Sequence, residues 1–364
     1  MPINASQTSG FGSVVEIDCA KLPLHDATKQ IRLLHFGRNA LFGLSCSLTV
    51  HDLDGAMEYT PSPMLWGSRN DKRQISLNGV ENAIGTNYYD ALLQTRPYDP
   101  ATPIWVDSIC IIQADSNEKS ARITAMVTIF SKPRRVFACV GPESESNRAL
   151  MRTGKQKHLS RLLDPGLLLG SPELDNFVRS RTYALVCKLA EAVTAFCNSL
   201  PYWERLWVAQ ELYEARGRAS ILCDNSDLHW TASQKILCLT ETYFVFTQTA
   251  RPAGTRLPPH LHAMTNMVNT RDEVLFPEIL ASACILKCRD SRDRIYGILR
   301  LIDWQAEELK PLFPDYRLTK LELVVQALRQ APRKTLTNAE TIARAMDVDI
   351  DGGALLAQVK LPTM

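Results

Sequence analysis

The stretch IWVDSICIIQ at 104–113 is an apolar run that carries a carboxylate, Asp107, and ends on an amide, Gln113. Polar groups in a run otherwise suited to the core must be hydrogen-bonded or put to use. Asp107 can hold a ribose hydroxyl or a cation, or cap an adjacent loop, and capping is the commoner role for such a residue. Gln113 offers both a donor and an acceptor, so it can hold a loop or a ligand amide. Cys110, three residues from Asp107 on a strand, points to the opposite face and reads as core. Upstream, Trp66-Gly67 pairs an indole able to stack on a flat ligand ring with a glycine that lets backbone come close. A core tryptophan beside a turn fits the same pair equally well.

These residues need elements to place them. The order of 104–143 is strand, helix, strand: an apolar strand over 104–112, a helix capped by Asp115 or Ser116 with apolar positions Ile123, Met126, Val127 and Phe130, then a strand over 135–140. That order within 40 residues is an α/β signature, with a site near the C-terminal end of the first strand. Shorter strands are expected at 31–36 and 44–50. Residues 73–80 predict a strand running into an Asn-Gly hairpin turn. Helices are expected over 172–199 and 203–216, separated by Pro201, and then through the 230–330 region. The resulting organisation is a flexible leader at 1–30, an α/β domain at 31–230, a helical extension at 231–331 packed on it, and an ill-defined tail at 332–364.

Composition narrows the classes. The 364 residues are 45% hydrophobic and 22% charged, with a formal net charge of +2. Those proportions belong to a globular protein and give no reason to expect nucleic acid as a partner. No apolar run reaches the length of about 18 residues that a membrane helix needs. The ten cysteines sit mostly in apolar runs and form no CxxC pair. They are expected as buried, reduced thiols in a cytosolic protein, with no metal site. GxGxxG, GxxxxGK[ST], GxSxG and HExxH are all absent, which removes the main support for Rossmann, P-loop, hydrolase-elbow and zincin readings.

Four ordered blocks resemble the fungal heterokaryon-incompatibility (HET) domain family. IWVDSICIIQ resembles that family's W-[IV]-D-A-[IL]-C-I-[ND]-Q strand motif, and the likeness continues through Glu118-Lys119, Ile129-Phe130, Arg135-Val136 and Gly141-Pro142-Glu143. Tyr202-Trp203-Glu204-Arg205-Leu206-Trp207-Val208-Ala209-Gln210-Glu211 looks like its W-x-R-x-W-x-x-Q-E block. The DSRDRIYG run at 290–297 and Pro314-Asp315-Tyr316 complete a likeness covering about residues 31 to 316. The chain departs from the family in two places. The Y-x-A-L-S-Y-x-W-G block keeps Tyr59, Trp66 and Gly67 but holds Pro63 and Met64 where Ser and Tyr are usual, and Ile112 replaces the Asn before Gln113. Both changes would make the expected pocket less polar.

The resemblance implies a small, mostly parallel sheet flanked by helices, related to the TIR and flavodoxin-like core, with a helical C-terminal extension. Some TIR proteins split NAD with one helix-borne glutamate in a W-C-x-x-E-L segment. Trp207-Val208-Ala209-Gln210-Glu211-Leu212 is similar to that segment and maps the acid onto Glu211. Glu211 would then be catalytic, with Trp66, Gly67, Asp107, Gln113 and Trp207 binding substrate, and NAD would be a substrate and not a resident cofactor. A carboxylate there can stabilise the oxocarbenium-like sugar left by a departing base. An ordinary helix acid paired with Arg205 or Arg216 is the plainer alternative. The family acts in non-self recognition and cell death, which implies a protein partner or self-association besides a small-molecule or nucleotide ligand. Two other readings stay open: a catalytically dead binding protein, and an enzyme repurposed for fungal secondary metabolism.

Overall fold

A computed structural model describes residues 21–37, 43–55, 57–64, 71–153, 167–168, 170–269, 276–302, 304, 310–330 and 336–360. Its first sheet is built around two antiparallel ladders between strands adjacent in sequence. Strand β1 (Gln30–Phe36) pairs along its whole length with β2 (Leu44–Asp52). A short β3 (Thr60–Pro61) follows. Strands β4 (Lys72–Leu77) and β5 (Val80–Gly85) then form the hairpin expected from Asn78-Gly79. Both turn residues take positive φ, +53° and +79°. A two-residue hairpin of this hand requires that geometry, and glycine adopts it without a Cβ clash.

Strand β6 (Ile104–Trp105) completes a six-stranded sheet in the order β3-β6-β1-β2-β4-β5. Its pairings β1/β2, β1/β6 and β4/β5 are antiparallel, while β2/β4 and β3/β6 are parallel. The fold is therefore mixed α/β, and the mostly parallel sheet expected from the sequence is corrected for this part of the chain. The physical reason is connection length: short links make hairpins, whereas a parallel pair needs a crossover of a dozen or more residues.

Strands β7 (Val136–Gly141), β8 (Ala219–Cys223) and β9 (Ser226–His229) make a second sheet, with β7/β8 parallel and β8/β9 antiparallel. The segment after β3 links the two sheets. Ser62 N–H donates to Trp105 O on one side (2.9 Å), and Cys139 N–H donates to Pro63 O on the other (2.9 Å), with a parallel bridge between Met64 and Cys139.

The stretch expected as a strand over 104–112 is a second correction. Only Ile104–Trp105 is strand, and Asp107–Cys110 turns into a single helical turn. An unbroken apolar run carries no period to tell strand from buried helix. The strand-face argument for Cys110 falls with it, although the thiol is fully buried. The helix that follows, Ser116–Ser131, is capped by Asp115, whose carboxylate accepts the Asn117 and Glu118 N–H groups. It buries Ile123, Met126 and Phe130 as its pattern requires.

The long helix expected over 172–199 is two helices, Pro172–Arg179 and Tyr183–Ser199, the second capped by Thr182. Beyond residue 332 the chain forms helices Leu336–Ala345 and Gly352–Lys360, which bury Ala339, Ile342 and Leu355. Among the described residues no helix is long and apolar enough to cross a membrane.

Candidate functional site

Beyond the end of β6 the chain enters the one-turn helix at Asp107, and Gln113 folds back so that its Nε2 donates to Asp107 O (2.9 Å). The Asp107 carboxylate accepts the Ser108 N–H (2.7 Å). Both residues thus serve the loop locally, while their remaining surface faces a cleft of about 1050 Å³. Cleft volumes of roughly this size suit small-molecule ligands. The helix Ser116–Ser131 forms a second wall, on which Lys119, Arg122, Ile123 and Met126 share one face by their spacing.

The third wall is the helix Leu206–Glu214. Leu206, Val208, Ala209 and Leu212 enter the core, which turns Trp207 and Glu211, one turn apart, to the cleft. Glu211 is 2% exposed, and its Oε2 finds no hydrogen-bond partner among the described residues. Burial pushes its carboxyl up from 4.5 to about 7, Arg205 opposes the shift, and the Asp107 charge adds to it. Glu211 is therefore a buried acid with Arg205 within electrostatic reach, not an exposed one.

The fourth wall comes from the DSRD segment. Backbone bonds tie it to the third: Leu206 N–H donates to Lys287 O (3.0 Å), and Lys287 N–H donates to Glu204 O (2.6 Å). Asp290 forks onto Arg292 (2.6 Å), whose Nη1 also donates to Tyr316 O (2.7 Å) and Leu318 O (2.8 Å). Asp293, 4% exposed, accepts the Trp207 Nε1–H (3.3 Å) and the Tyr316 hydroxyl. Burial raises its carboxyl, and Lys119 and those two bonds work against the rise. Cys288 also lines the cleft, but burial lifts its thiol to about 11, so it is a thiol and not a ready nucleophile at neutral pH.

The cleft thus brings Asp107, Gln113, Trp207 and Glu211 together. Trp66 and Gly67 lie outside the described residues. Pro63 and Met64, expected to make the pocket less polar, pair with β7 and do not line the cleft, and neither does Ile112, whose N–H donates to Glu118. Sequence reasoning named the 290–297 run as part of the family likeness. It missed Asp293 as a cleft wall, and it missed Lys119 and Arg122. The signal for Arg122 was a cation set on the buried stripe of an amphipathic helix, four residues before Met126.

Residues 62–211 match the family model described as heterokaryon incompatibility protein (HET). This segment is a HET domain. The chain is also 26% identical over 164 residues to heterokaryon incompatibility protein 6, OR allele, of Neurospora crassa. That alignment covers 40% of this chain and spans 24% of the relative's length. No solved structure matches the chain. Glu211 is the last residue of the matched HET segment, so the wall at 287–293 lies outside it.

Proposed function

We propose that this HET-domain chain acts in fungal non-self recognition leading to cell death, and that its cleft binds an NAD-like nucleotide and cleaves the nicotinamide–ribose bond at Glu211. The observation that carries the reading is a fully buried carboxylate with one unpartnered oxygen, sharing a cleft with Asp107, Gln113 and Trp207. A TIR-like ancestry has support in the neighbouring segments β6, 60–64, β7 and β8. They run parallel and, numbered by chain order, lie as 2-1-3-4, the order of flavodoxin-like sheets.

In this reading ionised Glu211 faces the developing oxocarbenium ion as the bond breaks and its electron pair leaves on the nicotinamide nitrogen. Water then attacks the sugar carbon and loses a proton. In the same reading Asp107 holds a ribose hydroxyl, and Trp207 offers an indole for the leaving ring. The test is nicotinamide release from NAD by the purified chain beside Glu211→Gln. Release by the wild type that falls at least a hundredfold in the variant is expected, and equal release by both removes Glu211 from the chemistry.

A binding-only role is the second reading. It is favoured by the use of Asp107 and Gln113 in hydrogen bonds of their own loop. Saturable NAD binding with no release at any protein concentration would select it.

A further inference from the structure

Arg32 and Arg122 are 0% and 1% exposed, and the fold treats them differently. Every nitrogen of Arg32 is used: Nε donates to Leu22 O (2.9 Å), Nη1 to Cys110 O (3.1 Å) and Glu118 Oε1 (2.5 Å), and Nη2 to Glu118 Oε2 (3.2 Å). Arg122 donates from Nη2 to Gln30 O, while its Nε and Nη1 find no acceptor among the described residues. Glu118 acts on it through charge but gives it no hydrogen bond, because its carboxylate is already taken up by Arg32 and by the Ile112 N–H (3.1 Å). Two buried guanidinium groups therefore face one buried carboxylate. Burial draws Arg122 down to about 10, which leaves it protonated at neutral pH.

A buried charge left without a counter-charge costs several kcal/mol and persists where something else supplies the partner. Arg122 lines the cleft, and Lys119, one turn earlier on the same helix face, lines it too. The Lys119 ammonium is held 3.7 Å above the Tyr316 ring, a contact that fixes its position, with the Asp290 and Asp293 carboxylates within its electrostatic reach.

We propose that this wall is an anion subsite, and that the cleft takes a phosphate- or pyrophosphate-bearing ligand whose charge is met by Arg122 and Lys119. The inference rests on, and narrows, the nucleotide reading above: the bond presented to Glu211 belongs to a phosphorylated nucleotide, not to a bare nucleoside or an apolar metabolite. Arginine suits the task because its planar donor fork matches phosphate oxygens.

The test is calorimetric titration of the full chain with AMP, adenosine and inorganic pyrophosphate. AMP is expected to bind at least tenfold more tightly than adenosine, with pyrophosphate competing against it and the preference shrinking as salt rises. Arg122→Met should erase the preference, and Lys119→Gln should weaken AMP several-fold. Because Arg122→Met removes the surplus charge, its melting temperature should stay within a few degrees of the wild type, whereas a purely structural arginine would cost far more. If that variant does not fold, the Lys119→Gln titration decides. Equal affinity for AMP and adenosine overturns the proposal, as does an AMP preference that survives the substitutions or pyrophosphate that binds without displacing AMP. Pyrophosphate competition with no gain from the nucleoside portion would make a free phosphate the ligand and overturn the nucleotide part. AMP preference without nicotinamide release leaves the subsite and removes the cleavage reading, whereas release without AMP preference removes the subsite alone.

Discussion

Glu211 makes a prediction that needs no ligand. Its carboxyl ionises near 4.5 in an unfolded chain and near 7 in the fold. Below pH 4.5 both states hold the proton and burial is at its cheapest. As pH rises from 4.5 through 7, the unfolded state releases the proton first, so folding stability is lost across that window and the loss is complete above it. The gap of roughly 2.5 pH units, at about 1.4 kcal/mol each, amounts to about 3 kcal/mol. Glu211→Gln keeps the shape of the protonated acid and cannot ionise. Its stability should exceed that of the wild type by less than about 1 kcal/mol at pH 5 and by up to about 3 kcal/mol at pH 8. For a chain of 364 residues the entropy of unfolding translates this into a melting-temperature gain of about 4 °C. Differential scanning calorimetry at the two pH values reads the difference directly. A gain that is equal at both pH values, or a loss at pH 8, would mean that Glu211 is ionised and paired in the native state, and the burial argument would fail. The same titration sets the chemistry: if the ionised acid is the working form, nicotinamide release should rise with pH through about 7.

Two further substitutions probe the walls of the cleft. Glu118→Gln leaves Arg32 and Arg122 buried without their shared carboxylate, and should cost about 3 to 5 kcal/mol in urea unfolding. Asp293→Ala strips the acceptor from the Trp207 Nε1–H and the Tyr316 hydroxyl. It should cost about 2 to 5 kcal/mol and, by freeing the Trp207 ring, raise the KM for NAD more than it lowers kcat.

What the sequence disclosed was local. Asp115 could be read as a cap, Asn78-Gly79 as a hairpin turn, and the register of Ile123, Met126 and Phe130 as a buried stripe, because each depends only on neighbours a turn away. The 106–112 run could not be read, since its apolar residues satisfy a strand and a buried helical turn alike. The first sheet was misjudged for a related reason: the resemblance implies parallel strands and says nothing about the antiparallel ladders β1/β2 and β4/β5. Asp107, Gln113, Trp207 and Glu211 could be named because they fall in quoted blocks. For Arg122 the sequence shows only a cation on a buried stripe; that it lacks acceptors depends on how Glu118 divides itself between Arg32 and a backbone N–H, which is a tertiary fact.

The same distinction explains why the cleft needs more chain than the matched HET segment. Residues 62–211 supply the Asp107 loop, the Arg122 helix and the Glu211 helix, which are three walls around an opening. The fourth wall is held on by main-chain bonds at Lys287 and by the Asp293 carboxylate, and both join it to the helix that carries Glu211. Gly297 sits where these parts meet, and a Cβ there would lie 2.9 Å from Asp293 O and 3.2 Å from the Leu206 side chain. Glycine suits that point because a Cβ would crowd the carbonyl of its own turn and press on the Leu206 side chain of the helix bearing Trp207 and Glu211. The spacing between Trp207 and Asp293 is held by the Trp207 Nε1–H bond to the Asp293 carboxylate. The later segment thus closes the fourth side of the cleft that the acid at the end of the matched segment lines.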